Sequence, residues 1–423
     1  MQKIIIISYF FPPCNLTAGQ RSYSWYRYLH GFGYYPIVIT RKWEKQIHTY
    51  SDVNQISSPG IIIEKQAWGE VHYLPYSGNL RDRIISEYGM GRFSFLRKIL
   101  SMFELIIENF WSGIIPYHGF YKHAVSVIKE QKTKGTIISA GPFPQFFFGF
   151  LLNKNVSQKW IADYRDDWST DEVNKNNGMI QGLIRKLNHI SEKKWLRSAV
   201  AFTTISPHYR RKIEDFTGIT GYVVQNGFSE IISVKENTSD SFTLVYNGTL
   251  YPTQPVEDLL KDLARFNLVG QQKIRIDFPG LGIDDAQKRR VASFAQSLGI
   301  LSEVDITPRI PKKEVIEKQE NALALIMFGH KGLKGIPSSK IYEYLSLGKP
   351  IILFEPDGDI LEEIVSGYNL GFVIGKPHTF ESAIHEIRSL RQQNKLVPDM
   401  DYVMSFSRLS QVKVLADIMD THF

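Results

Sequence analysis

Short runs of β-branched and other apolar residues alternate along the chain with longer segments whose apolar positions recur at helical spacing, the sequence form of βαβ units and parallel sheets. In the first half the pattern predicts strands at IIIIS from Ile4, PIVIT from Pro36, TIISA from Thr136, KWIAD from Lys159, AVAFTTIS from Ala199 and GYVV from Gly221. In the second half it predicts them at FTLVYNG from Phe242, KIRIDFPG from Lys273, VDIT from Val304, ALALIMF from Ala322, PIILF from Pro350 and GFVI from Gly371. Each set is about right for one doubly wound α/β domain. Between them VKENTSDS, Val234 to Ser241, is polar and aperiodic. The expected organisation is therefore residues 1–232, residues 233–400, and a helical segment 401–423 that packs back across the domain junction.

Composition supports that division, since 423 residues at 43% hydrophobic are more than one core usually organises. The single cysteine, Cys14, has no partner for an internal disulfide or a CxxC metal site, which points to a cytoplasmic protein. The opening IIIIS run has no A-x-A-like site after it and reads as a buried strand rather than a signal peptide. FPQFFFGFLL, Phe143 to Leu152, is too short to span a bilayer.

The net charge of +7 is unevenly spread. Residues 1–200 carry 25 Lys and Arg against 15 Asp and Glu, whereas the remainder carries 25 against 28. A basic first half suggests a phosphate-bearing substrate or an anionic membrane surface. Nucleic acid is not expected, because the basic residues are dispersed and no zinc-finger spacing or RNP-like strand is present. The segment from Gly91, GRFSFLRKILSMFELIIENFWSGIIPYHGFYKH, is rich in aromatics and carries Arg92, Arg97, Lys98 and Lys122. Its helical apolar spacing suits either core packing or contact with a membrane surface.

Candidate chemistry concentrates just beyond predicted strand ends, where open α/β sheets bind ligands. In IPSSKIYEYLSLGKPIILF, Ser338, Ser339 and Lys340 stand at a helix start, where free N–H groups and the dipole favour phosphate. Glu343 follows on the same face, placed for ribose hydroxyls. A capped surface helix with an ordinary ion pair explains the same residues. After the first strand, a Pro-Pro turn and Gly19 precede a helix carrying Arg21, a second candidate phosphate contact. GPFPQ at Gly141 to Gln145 is a tight turn after another strand. KWIAD runs into YRDDWS, clustering Asp163, Arg165, Asp166, Asp167 and Trp168. Either these form an internal ion-pair network, or one carboxylate meets an acceptor hydroxyl while Arg165 steers charge. His118 and His208 carry no assignment.

The ordered pieces SYFFPP…AGQRSYSWYRYLHGFGYYPIVIT, WIADYRDDWS, VVQNGF, VYNGTL and SSKIYEYLSLGKPIILFEPDGDILEEI resemble a GT-B glycosyltransferase of the family 4-like type, over nearly the whole length. The resemblance implies two Rossmann-like domains facing an interdomain cleft, with the nucleotide-sugar donor mainly on the second and the acceptor on the first. By the same resemblance Lys340 holds donor phosphate, Glu343 holds ribose, the Gly248 loop lines the nucleotide pocket and Gly19 closes over the diphosphate. Asp166, Arg165 and Asp163 are the catalytic candidates. The implied reaction retains configuration and needs neither metal nor cofactor beyond the nucleotide-diphosphate sugar. The implied acceptor is a saccharide or polyprenyl-diphosphate-linked saccharide of envelope, capsular or O-antigen polysaccharide synthesis, met at the cytoplasmic side of the plasma membrane.

Two departures from the family pattern stand out. Gly335 occupies the place of a second glutamate, and YPTQPVED follows VYNGTL where relatives place a basic residue, a role open to Lys331 or Lys334. A catalytically silent GT-B scaffold and a nucleotide-sugar 2-epimerase are the alternative functions.

Overall fold

The computed structural model describes residues 1–44, 46–47, 50–89, 91–170, 178–232, 242–270, 272–330, 332–375 and 377–423. Lys331 and the polar stretch 234–241 lie outside them. The chain divides into two units, Met1–Gln225 with Arg408–Phe423, and Asn226–Ser407.

The first unit is built on an eight-stranded sheet of order β3-β4-β2-β1-β5-β6-β7-β8. Its strands are β1 (Gln2–Ser8), β2 (Tyr34–Arg41), β3 (Ile62–Gln66), β4 (Gly69–Leu74), β5 (Thr136–Ser139), β6 (Trp160–Tyr164), β7 (Ala201–Thr204) and β8 (Gly221–Val223). All neighbours pair in parallel except β3, which runs antiparallel on the edge of β4. β1 sits centrally because Ile4 to Ile7 are wholly apolar and wholly buried, as a strand covered on both faces must be.

The sequence reading did not find β3 and β4. β3 is exposed along its length, so no burial pattern marks it. β4 carries the buried polar residues Glu70 and His72, which break an apolar run. Partners hold them: Glu70 accepts from Gln131 Nε2 at 2.9 Å, and the His72 ring lies 2.7 Å from His123 Nε2.

The second unit has six parallel strands in the order β11-β10-β9-β12-β13-β14. They are β9 (Thr243–Val245), β10 (Arg275–Pro279), β11 (Val304–Thr307), β12 (Ala324–Phe328), β13 (Ile351–Phe354) and β14 (Gly371–Val373). Successive side chains point to opposite faces, which makes two cores from one sheet. Leu244, Ile276, Ile326 and Phe328 pack with Leu259, Leu260 and Leu263 of the helix Val256–Val269. Val245, Leu325, Met327 and Leu353 pack with Ile341, Tyr344 and Leu345 of the helix Ser339–Ser346.

The division falls at 225/226 and 407/408 rather than at 232/233 and 400/401. Side-chain packing accounts for the offsets. Phe228, Val403 and Phe406 are buried in the second core, and Phe228 is bridged to Ser407. The helix Arg408–His422 belongs to the first unit. Val412, Leu415, Ala416, Ile418 and Met419 are buried there with Trp25 and Leu29, and the Tyr34 hydroxyl donates to Asp420.

Candidate functional site

Both sheets change winding direction at one place, and crevices open at the carboxyl ends of the strands that flank such switch points. In the second unit the switch lies between β9 and β12. The loop after β9 is Tyr246–Thr249, and the chain after β12 leads through His330 to the helix Ser339–Ser346.

Lys340 joins these pieces. Its Nζ donates to the Tyr246 hydroxyl at 2.9 Å and to the Thr249 carbonyl at 2.9 Å, and lies 4.3 Å from the centre of the Tyr246 ring. Burial disfavours the ammonium and brings its pKa down to about 8, an effect that nearby Glu343 opposes. A second tie runs from the same helix, because Tyr344 Oη donates to Asn247 Oδ1 at 2.8 Å. Gly248 has φ of 82°. A Cβ there would strain the backbone and stand 3.4 Å from Lys340 Cε.

Glu343, one turn on, is half-buried, and its Oε1 accepts from Gln319 Nε2 at 2.9 Å. Gln319 is fully buried on the helix Lys312–Glu320. Ser338 is the N-cap residue of the lysine helix yet makes no side-chain capping hydrogen bond, and Ser339 is exposed. His330, missed in the sequence, bonds Thr253 through Nδ1 at 3.0 Å, and burial together with the Lys340 charge lowers its pKa. Tyr246, Tyr344 and Gln319 were missed as well, since only the fold brings them to Lys340 and Glu343.

The departure at Gly335 has a backbone cause. Its φ is 80°, which a glutamate rarely adopts, and its N–H donates to the buried Asp359 carboxylate. Lys334 is exposed.

In the first unit the switch lies between β1 and β5, and the structure corrects two expectations there. Arg21 and Asp163, expected as donor contact and catalytic carboxylate, are each other's partners. Their side chains are 4% and 0% exposed, with Arg21 Nη2 2.7 Å from Asp163 Oδ1. Arg21 Nη1 donates to the Val224 carbonyl at 2.7 Å, and Asp163 also accepts from Ser139 Oγ at 2.9 Å and Thr203 Oγ1 at 2.7 Å. Every strong hydrogen-bonding position of this pair is used internally, so it ties β5, β6 and β7 to the helix Ala18–Tyr28. A buried, saturated ion pair is a structural device.

Arg165 and Asp166 differ from that pair. Arg165 is half-buried, donates to the Ala18 carbonyl at 3.3 Å, and lies beside Gly141, whose Cβ would come 3.4 Å from Arg165 Nη1. Asp166, 73% exposed, stands 3.7 Å from the guanidinium. Gly19 opens the helix next to Ala18, and a Cβ on it would come 3.2 Å from the Phe11 backbone. The segments after β1, β5 and β6 thus gather Gly19, Gly141 and Arg165 beyond the carboxyl ends of neighbouring strands. Asp167 is not free for chemistry. It pairs with Lys212 at 2.6 Å and accepts from Thr170. Trp168 stacks on Phe143 with ring centres 5.1 Å apart.

Comparison with known proteins adds identity to this geometry. Residues 228–402 match the family described as glycosyl transferases group 1. No curated protein matches the sequence. Solved structures match across the whole chain. Sucrose-phosphate synthase from Thermosynechococcus elongatus has TM-score 0.59 at 12% identity, over 100% of this chain and 99% of that one. Anabaena HepE in complex with UDP and glucose has TM-score 0.57 at 11% identity, over 100% of both chains. The lipopolysaccharide outer core galactosyltransferase WaaB has TM-score 0.54 at 14% identity, again over 100% of both. At such identities the likeness establishes the fold, which is GT-B. Gly248, Lys340 and Glu343 all lie within residues 228–402, the part of the chain that matches the glycosyl transferases group 1 family.

Proposed function

We propose that the protein transfers a sugar from a nucleotide-diphosphate sugar to a saccharide or lipid-linked saccharide, in cell-envelope or capsular polysaccharide synthesis, from the cytoplasmic face of the membrane. The observation that carries the reading is the pairing of Lys340 and Glu343 across one turn of helix at the β9/β12 switch point. A half-buried ammonium beside a helix N-terminus with no side-chain cap suits a diphosphate. A carboxylate held by Gln319 suits the vicinal hydroxyls of ribose. HepE in complex with UDP and glucose, and starch synthase IV from Arabidopsis thaliana bound to ADP and acarbose, share the fold and support a nucleotide donor.

On this reading Lys340 and the backbone N–H groups of residues 339 and 340 stabilise charge as it develops on the leaving diphosphate, which acts on the transition state more than on the bound sugar. Transfer with retention and without a metal belongs to the same proposal. Arg165 and the exposed Asp166 are the groups offered to the acceptor side, with Gly19 allowing close backbone approach.

Thermal-shift and calorimetric titration with UDP, GDP, ADP, CMP and their sugar conjugates tests the donor site. The expected outcome is selective stabilisation by one nucleoside diphosphate, lost in Lys340→Ala and Glu343→Ala. No response to any nucleotide would refute the transferase reading in favour of a silent GT-B scaffold. Epimerised donor formed without acceptor would favour a 2-epimerase.

A further inference from the structure

The helix Ser94–Ile107 is inverted relative to an ordinary surface helix. Such helices bury an apolar stripe and turn charge to water, whereas no residue of this one is buried. Phe95, Ile99 and Phe103 recur at helical spacing and are exposed, Phe95 at 76% and Phe103 at 56%. Met102 and Ile106 continue the stripe half-exposed, and Phe110 and Trp111 extend it beyond the helix at 67% and 62%. The carboxylate of Glu104 is turned the other way, 14% exposed and paired with Arg81 while accepting from Asn79. The carboxylate faces the protein while hydrocarbon faces out.

A second helix, Met179–Leu196, lies alongside, tied by Asn109 Nδ2 donating to Asn188 Oδ1 at 3.4 Å. It exposes Ile180, Leu183 and Ile190. The exposed charges on these elements are all cations: Arg92, Lys98, Arg185, Lys186, Lys193 and Lys194. The acids Glu104, Glu108 and Glu192 are half-buried or buried. Protruding aromatics fringed by cations, with no fully exposed carboxylate among the described residues of these two helices, match the apolar interior and anionic headgroups of a lipid surface. A second copy of this chain would set like charges against each other. Among the described residues no helix is long and apolar enough to cross a membrane, so the contact is one of lying on the surface.

We propose that the face formed by Ser94–Trp111 and Met179–Lys194 docks the protein on an anionic bilayer, with Phe95, Phe103 and Phe110 in the headgroup boundary and the surrounding cations on the headgroups. The inference does not rest on the donor chemistry, because nucleotide binding can fail while docking stands.

The test is co-sedimentation of the full chain with vesicles of phosphatidylcholine alone and of phosphatidylcholine with one third phosphatidylglycerol. Wild type is expected with the anionic vesicles. Phe95→Ser with Phe103→Ser, and separately Lys98→Glu with Arg185→Glu, should each lower the partition coefficient by roughly tenfold or more. Raised salt should weaken wild-type binding. Unchanged thermal unfolding, and an unchanged nucleotide response where wild type has one, report that the variants fold, since every substituted side chain is wholly or largely solvent-facing. Wild type left in the supernatant with both vesicles, or variants that sediment like wild type, would overturn the proposal. A dimer in light scattering that Phe95→Ser dissolves would replace the lipid with a second copy.

Discussion

Replacing Lys340 by methionine separates binding from stability, because the two should move in opposite directions. The pKa of Lys340 falls from 10.5 to about 8 through burial. At ~1.4 kcal/mol per unit the cation is disfavoured in the folded state by about 3.5 kcal/mol at most, less what its residual exposure returns. Methionine fills similar volume without charge and keeps contact with the Tyr246 ring. The free variant should therefore be as stable as wild type at pH 7, or more stable by about 1–2 kcal/mol in urea unfolding. Diphosphate binding should weaken by about 1.5–3 kcal/mol, roughly 10- to 150-fold, for a lost charge-assisted hydrogen bond. The pH dependence has a definite sign. Below pH 8 both the folded and unfolded lysine are protonated and the penalty is complete. Between about 8 and 10.5 only the unfolded state holds the proton, so wild-type stability rises with pH and the gap to the variant closes. Nucleotide affinity of wild type should fall above pH 8 while that of the variant stays flat. A variant that loses several kcal/mol of stability yet binds nucleotide normally would refute the assignment, since Lys340 would then be a structural cation.

Glu343→Gln should leave binding of a 2′,3′-dideoxy nucleotide unchanged and weaken the ribonucleotide about tenfold or more, measured by calorimetry. Gln319→Leu should give a smaller loss of the same selectivity by freeing the carboxylate. Arg21→Ala leaves Asp163 charged and buried, and should cost about 3–5 kcal/mol in denaturant unfolding, whereas Arg21→Met with Asp163→Leu should cost less. Equal losses in the two would count against a buried ion pair. Leu415→Ala opens a cavity in the first core and should cost about 2–5 kcal/mol, read as a lower melting temperature without change in the nucleotide response.

The parallel strands other than β4 were legible because most are compact apolar runs, and Ile4 to Ile7 or Leu325 to Phe328 cannot be exposed without large cost. β3 and β4 were not: β3 is exposed along its length, and β4 carries Glu70 and His72, whose partners Gln131 and His123 are remote in sequence. The same limit governs the site. Lys340, Glu343 and Gly248 stand in a local motif whose spacing carries meaning by itself. The Arg21 and Asp163 pair spans 142 positions, and nothing local says that each consumes the other. The exposure of Phe95 and Phe103 was equally hidden, since helical apolar spacing is the same whether the stripe faces a core or water.

The return of Arg408–His422 to the first unit places its segments on either side of the second in synthesis. Residues 226–407 are contiguous and can complete their sheet as soon as they leave the ribosome. The first unit, although made first, must wait with the surface around Trp25 and Leu29 uncovered until Leu415 and Met419 arrive. The core of the unit made first is thus completed by the residues made last.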